Sequence, residues 1–122
     1  MTVRVVVADD QAPFRRAARS VLNAVAGFQL VGEAASGEEA IVLVDSLRPD
    51  LVLMDINMTG MSGIEAARSI ATAHPETMTV LLSTYREEDL PLQARVCGAA
   101  AYLHKSDFGE PVLRALWEGR AC

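Results

Sequence analysis

The chain has 122 residues, of which 51% are hydrophobic and 22% charged, values that fit one globular domain around a single core. Its formal net charge of −5 argues against a surface devoted to nucleic acid. No apolar run is long enough to span a bilayer, and Met1-Thr2-Val3-Arg4 leads straight into a strand-like run with no secretory h-region, which predicts a cytoplasmic protein.

Strand-like and helix-like runs alternate along the chain. Val3 to Ala8 is a continuous Val-rich run of the kind buried on both faces of a parallel sheet. Phe14, Ala17, Ala18, Val21, Leu22 and Val25 then recur at helical spacing, which predicts a helix ended by Gly27. Phe28 to Glu33 is the second strand. Ser36 caps a helix with Ala40, Val44 and Leu47 on one face, and Glu39 completes a capping box. Pro49-Asp50 break it, and Leu51 to Met54 form a third, wholly apolar strand that ends at Asp55. A loop with Gly60 and Gly63 leads to a helix through Ile64, Ala67, Ile70 and Ala71, stopped by His74-Pro75. Met78 to Leu82 is the fourth strand. A weak fourth helix is expected to open with Arg86-Glu87-Glu88-Asp89, to carry Pro91 in its first turn, and to close at Gly98. Ala100 to His104 is the fifth strand and Pro111 to Trp117 the fifth helix. With no repeat, low-complexity tract or linker, residues 1–122 read as one domain.

Strict alternation with short loops implies a parallel sheet with helices on both faces and right-handed crossovers. Ligands of such sheets bind beyond the carboxyl ends of the strands, near the point where strand order reverses. Those ends carry Asp9-Asp10, Asp55, Ser83-Thr84 and Lys105. Taken singly, each has a structural explanation. Asp10 can cap the first helix, Asp55 can serve the turn before Asn57 and Gly60, Ser83 can turn the chain, and Lys105 can be a solvated strand end. Lys105 is also the one lysine among eleven basic residues, although composition bias explains that ratio by itself. Cys97 and Cys122 are far apart and read as free thiols in a reducing compartment.

Taken together, the strand-end residues point to chemistry. Three carboxylates at one rim repel one another, and their ionised forms persist only with a cation. Hard oxygen ligands with room for water favour Mg²⁺ or Mn²⁺. A lysine and a hydroxyl opposite such a metal complete a cradle for a phosphoryl group, and a carboxylate can be the nucleophile that accepts it.

Asp9-Asp10, Leu53-Met54-Asp55-Ile56-Asn57-Met58, Gly60-Met61-Ser62-Gly63-Ile64-Glu65-Ala66, Leu81-Leu82-Ser83-Thr84 and Gly98-Ala99-Ala100-Ala101-Tyr102-Leu103-His104-Lys105 resemble the receiver domains of two-component response regulators. The resemblance covers essentially the whole chain. Its wording around Gly60 to Ala66 and Gly98 to Lys105 is most similar to receivers that precede a LuxR-type helix-turn-helix, the NarL/FixJ-like subfamily.

The resemblance implies a flavodoxin-like (βα)5 fold with strand order 2-1-3-4-5. It implies Asp55 as phosphoacceptor, Asp10 as a direct metal ligand, Asp9 as a ligand through water, and the Asn57 backbone carbonyl as a further metal ligand beside Asp55. Lys105 would pair with Asp55 and then with a phosphoryl oxygen, while the Ser83 hydroxyl and the Thr84 N–H meet other oxygens. Ser83 and Tyr102 would form the conformational switch. A sensor histidine kinase would be the donor and a phosphorylation-promoted homodimer the response. The chain would be either a natural single-domain regulator or the receiver half of a longer protein, with DNA reached only through such a further C-terminal domain, no membrane partner, and no enzymatic activity beyond the protein's own phosphorylation and dephosphorylation.

Three positions depart from the family pattern. Thr59 and Ser106 stand where proline is usual, which implies a less rigid acceptor loop and no cis-proline constraint on Lys105. Ser62 replaces an Asp that also caps.

Other classes fit less well. Asp55-Ile56-Asn57-Met58-Thr59 resembles the nucleophile motif of haloacid-dehalogenase-type phosphatases, but Asn57 cannot act as their second, proton-transferring Asp. A flavodoxin-type phosphate loop would meet repulsion from Asp9-Asp10. A receiver-like interaction module that signals without phosphate remains the alternative, although such modules typically lose an acid or the lysine.

Overall fold

The computed structural model describes residues 2–119. Five parallel strands, β1 (Val3–Ala8), β2 (Phe28–Ala34), β3 (Leu51–Asp55), β4 (Met78–Ser83) and β5 (Ala101–His104), lie in the order β2-β1-β3-β4-β5. Helices α1 (Ala12–Ala24), α2 (Gly37–Leu47), α3 (Gly63–Ala73) and α4 (Leu92–Arg95) fill the crossovers, and α5 (Glu110–Gly119) follows β5. This is the flavodoxin-like arrangement expected.

The strands alternate between two cores. Val6, Ala8, Val52, Met54 and Leu81 face a cluster closed by α2, α3 and Ala94 of α4. Val5, Val7, Leu51, Leu53, Val80 and Leu82 face the opposite cluster, closed by Ala18 and Leu22 of α1 and Leu113 of α5. Because both faces are covered, Val5, Val6 and Val7 are all fully buried, each contributing roughly 1.5–3 kcal/mol over an exposed position. Trp117 is half-buried against the second cluster, so it widens the α5 stripe.

Local signals set most boundaries. The Ser36 hydroxyl accepts from the Glu39 N–H at 3.1 Å, and the Glu39 carboxylate accepts from the Ala35 N–H at 3.3 Å, one residue before the cap. Ser62 caps α3 in the same way, accepting from the Glu65 N–H. Gly27 takes a positive φ of 91° in the turn after α1.

Two expectations need correction, and one alternative explanation, a capping role for Asp10, falls away. Glu87–Asp89 form a separate 3-10 turn rather than the start of α4. Pro91 is the cap of α4, not part of its first turn, with ψ at 146°. Proline disfavours helix at the residue before it, so the acidic run cannot be continuous with α4, which is left with a single turn. Asp10 does not cap α1; the residue at that cap is Gln11, whose side chain makes no capping bond. Cys97 is a free, buried thiol, and Cys122 lies outside the described residues. Among the described residues no helix is long and apolar enough to cross a membrane.

Candidate functional site

Strand order reverses at β1, where the chain goes out to β2 and returns to pair β3 on the other side. The carboxyl ends of β1 and β3 are therefore neighbours, and the turns leaving them diverge to opposite faces. Asp9 and Asp10 follow β1, and Asp55 ends β3. One carboxylate oxygen from each lies within 4.8 Å of the other two.

Asp9 is wholly buried. Its N–H extends the β1·β2 ladder to the Ala34 carbonyl, its Oδ1 accepts from the Gln11 N–H at 2.8 Å, and its carbonyl accepts from Arg15 Nη1 at 2.5 Å. Its Oδ2 has no directed hydrogen bond among the described residues, although the Lys105 ammonium lies 2.6 Å away. Lys105 reaches Asp55 Oδ1 at 3.5 Å, so it is nearer to Asp9 than to the Asp55 it was expected to pair with. The most deeply buried carboxylate is the one least able to use water, and it takes the closer share of the single ammonium. Nζ also sits 4.8 Å from the centre of the Phe14 ring, which packs on Phe108.

Asp55 is 6% exposed. Burial, then the nearby Asp9 charge, raises its carboxyl pKa to about 6, against the opposing pull of Lys105 and a hydrogen bond from the Asn57 N–H. Its backbone is pinned from below by α3: a Cβ on Gly63 would stand 1.9 Å from the Asp55 carbonyl oxygen, so only glycine lets the helix start this close.

Asp10 is exposed and its Oδ2 accepts from both the N–H and the hydroxyl of Thr59, at 3.2 and 3.3 Å. Glu38 accepts from the Met61 N–H at 3.3 Å. Where proline would stiffen this loop through its ring, Thr59 ties it by two donors, which the expectation of a looser loop left out.

Ser83 and Thr84 stand at the end of β4, flanked by β3 and β5. Ser83 Oγ accepts from the Tyr85 N–H at 2.8 Å. The Asn57 side-chain amide donates to the Tyr85 hydroxyl at 3.2 Å, so the Tyr85 ring reaches across to the acceptor loop. Tyr102 donates to the Ala94 carbonyl of α4. The sequence reading gave Phe14, Thr59 and His104 no bonding role at the rim. Phe14 looks like any core residue at helical spacing, and contacts across the sheet leave no local trace.

The chemistry of this donor set fits a small, hard divalent cation. Three converging carboxylates share one ammonium, which leaves negative charge uncompensated. A phosphoryl group would fit the same place only with such a cation, because alone it would add to the repulsion.

The response regulator receiver domain family matches residues 5–116. The transcriptional regulatory protein YxjL of Bacillus subtilis is 39% identical over 93% of this chain and 52% of its own length. The response regulator UvrY of Escherichia coli is 34% identical over 93% and 52%. The signal receiver domain of the response regulator NarL from Mycobacterium tuberculosis superposes with a TM-score of 0.88 at 32% identity, covering 97% of this chain and 95% of that one. A LuxR-family two-component response regulator from Aurantimonas gives 0.88 at 29% identity, over 99% and 86%. The chain spans about half the length of the curated relatives it matches.

Proposed function

The chain belongs to the response regulator receiver family, and from that premise we propose that it accepts a phosphoryl group on Asp55, with Mg²⁺ or Mn²⁺ beside it, to control a transcriptional output. The observation that carries this is the buried Asp55 set between Asp9, Asp10 and Lys105.

Asp55 is the nucleophile. Its carboxylate oxygen attacks the phosphorus of a phosphohistidine on a sensor kinase; the P–O bond forms as the P–N bond breaks, and the leaving imidazole takes up a proton from solvent. Asp10, Asp55 and the Asn57 carbonyl would hold the divalent ion directly and Asp9 through water, and its positive charge would offset the negative charge of the phosphoryl oxygens. Lys105 compensates another oxygen. The Ser83 hydroxyl and the Thr84 N–H receive the remainder, and Tyr102 moves with Ser83. Tyr85, tied to Asn57 across the mouth, hinders in-line water and slows self-hydrolysis.

The output follows from the subfamily likeness. We assign a C-terminal DNA-binding domain beyond this segment, a phosphorylation-promoted homodimer through α5 or an adjoining face, and a cytoplasmic setting.

Incubation with acetyl phosphate and Mg²⁺, read by intact mass, tests the proposal. Wild type gains one phosphoryl group; Asp55→Asn does not, and chelation stops the gain. Full labelling of Asp55→Asn, or of wild type in chelator, would overturn it. A wild type that never labels while binding its kinase would favour a module that signals without phosphate.

A further inference from the structure

His104 is the last residue of β5, immediately before Lys105. Its Nδ1 is approached by two groups of Ser106, the backbone N–H at 3.1 Å and the hydroxyl at 2.7 Å. Its Nε2 lies 3.1 Å from the Thr84 carbonyl oxygen. These partners settle the tautomer of the neutral ring. A backbone N–H can only donate, so Nδ1 is the acceptor; a carbonyl can only accept, so Nε2 carries the proton. The imidazole is thus a fixed strap from the turn after β5 to the turn after β4.

The Thr84 carbonyl and the Tyr85 N–H belong to one peptide plane, and the plane is held at both ends. Its carbonyl accepts from His104, and its N–H donates to Ser83 Oγ at 2.8 Å. The hydroxyl oxygen of Ser83 therefore rests on a peptide that His104 keeps from turning. Tyr102 lies two residues before His104, on the same side of β5, and holds the Ala94 carbonyl of α4. Ser83, Tyr102 and His104 share a cleft of about 390 Å³ between the ends of β4 and β5, so space for rotation exists beside the strap.

We propose that His104 is a positioning residue that latches the Thr84–Tyr85 peptide, and through it Ser83, in the resting arrangement, so that its bond to Thr84 opposes phosphorylation. This deepens the reading of the rim as a phosphoryl site and rests on it. As Ser83 swings toward a phosphoryl oxygen, Oγ draws the Tyr85 N–H with it and the peptide plane turns. Turning the plane breaks the His104 bond, which adds the strength of one neutral hydrogen bond to the resting state. Its removal should speed the change about fivefold.

Two substitutions separate the latch from a plain structural role. In His104→Asn the side-chain oxygen replaces Nδ1 and keeps the Ser106 N–H, but the amide nitrogen falls short of Thr84. In His104→Gln the amide nitrogen reaches the place of Nε2 and restores the donor. The first readout is amide hydrogen exchange at Tyr85 by NMR, in metal-free protein with no phosphodonor. It should quicken about fivefold in His104→Asn and return toward wild type in His104→Gln. The second is the rate of mass gain with acetyl phosphate and Mg²⁺, which should follow the same order.

Unchanged Tyr85 exchange in His104→Asn would overturn the latch, whatever the labelling. Faster exchange with a wild-type labelling rate would overturn its opposition to phosphorylation. If wild type does not label at all, the proposed function falls, while the exchange data still decide whether His104 holds the peptide.

Discussion

Helices α3 and α4 cover the same face of the sheet, yet they are built differently. α3 runs eleven residues from a Ser62 cap and buries Gly63, Ile64, Ala66, Ala67 and Ile70. α4 is one turn of four residues, begins at a proline with no side-chain cap, and leaves Leu92 72% and its neighbour Val96 69% exposed. The segment after β3 is pinned to Asp55 through Gly63; the segment after β4 hangs on Ala94, Cys97 and the Tyr102 hydroxyl. Rigidity thus lies beneath the candidate nucleophile and pliability beside the residues expected to move. Elements that must rearrange come from the weakly packed part of a fold.

Truncation gives the widest contrast. Ile70→Ala should lose about 2–5 kcal/mol of stability in urea unfolding, since Ile70 is 1% exposed in the core. Leu92→Ala should stay within about 0.5 kcal/mol. Comparable losses at both positions would erase the distinction.

The pinned side also stores an electrostatic penalty. The folded pKa of Asp55, about 6, stands above its ordinary value of 3.8. Between those values the native state binds more protons than the unfolded chain, so stability through this group is lost as pH rises and stays lost above pH 6. In chelator, Asp55→Asn should match wild type near pH 4 and exceed it by roughly 3 kcal/mol at pH 7. Saturating Mg²⁺ should close that gap, because the cation favours the ionised carboxylate that asparagine lacks. A gap independent of pH would contradict the assignment.

The Ser62 cap is worth less. Ser62→Ala should cost about 1 kcal/mol by the same measurement, because the Glu65 N–H loses its acceptor. An unchanged midpoint would mean that burial alone anchors α3.

The smallest effect is on the pliable side. Tyr85→Ala removes the bond to Asn57 and should shorten the phosphoryl lifetime a few-fold, followed by decay of the labelled mass. An unaltered decay would mean that the ring does not obstruct water.

The alternation of strands and helices along the chain, the caps at Ser36 and Ser62, and the gathering of Asp9, Asp10, Asp55 and Lys105 at one rim were legible in the chain itself. Each follows from short-range pattern: apolar runs, helical spacing, cap chemistry, and the rule that parallel strands present their carboxyl ends on one edge. The order of strands in the sheet, by contrast, came from the family resemblance. The length of α4 was legible in part. Pro91 was read as a first-turn residue, and its effect on the residue before it was not weighed.

What only the tertiary structure decided is how the rim residues share one another. Lys105 sits closer to Asp9 than to Asp55, with Phe14 beside it. Thr59 bonds Asp10 across 49 positions of sequence, and His104 joins Ser106 to a carbonyl 20 positions away. Such choices are competitions among several partners within a few ångströms, settled by burial and by differences in distance smaller than a bond length. A linear sequence carries the identities of the competitors, but the outcome depends on where the sheet sets them.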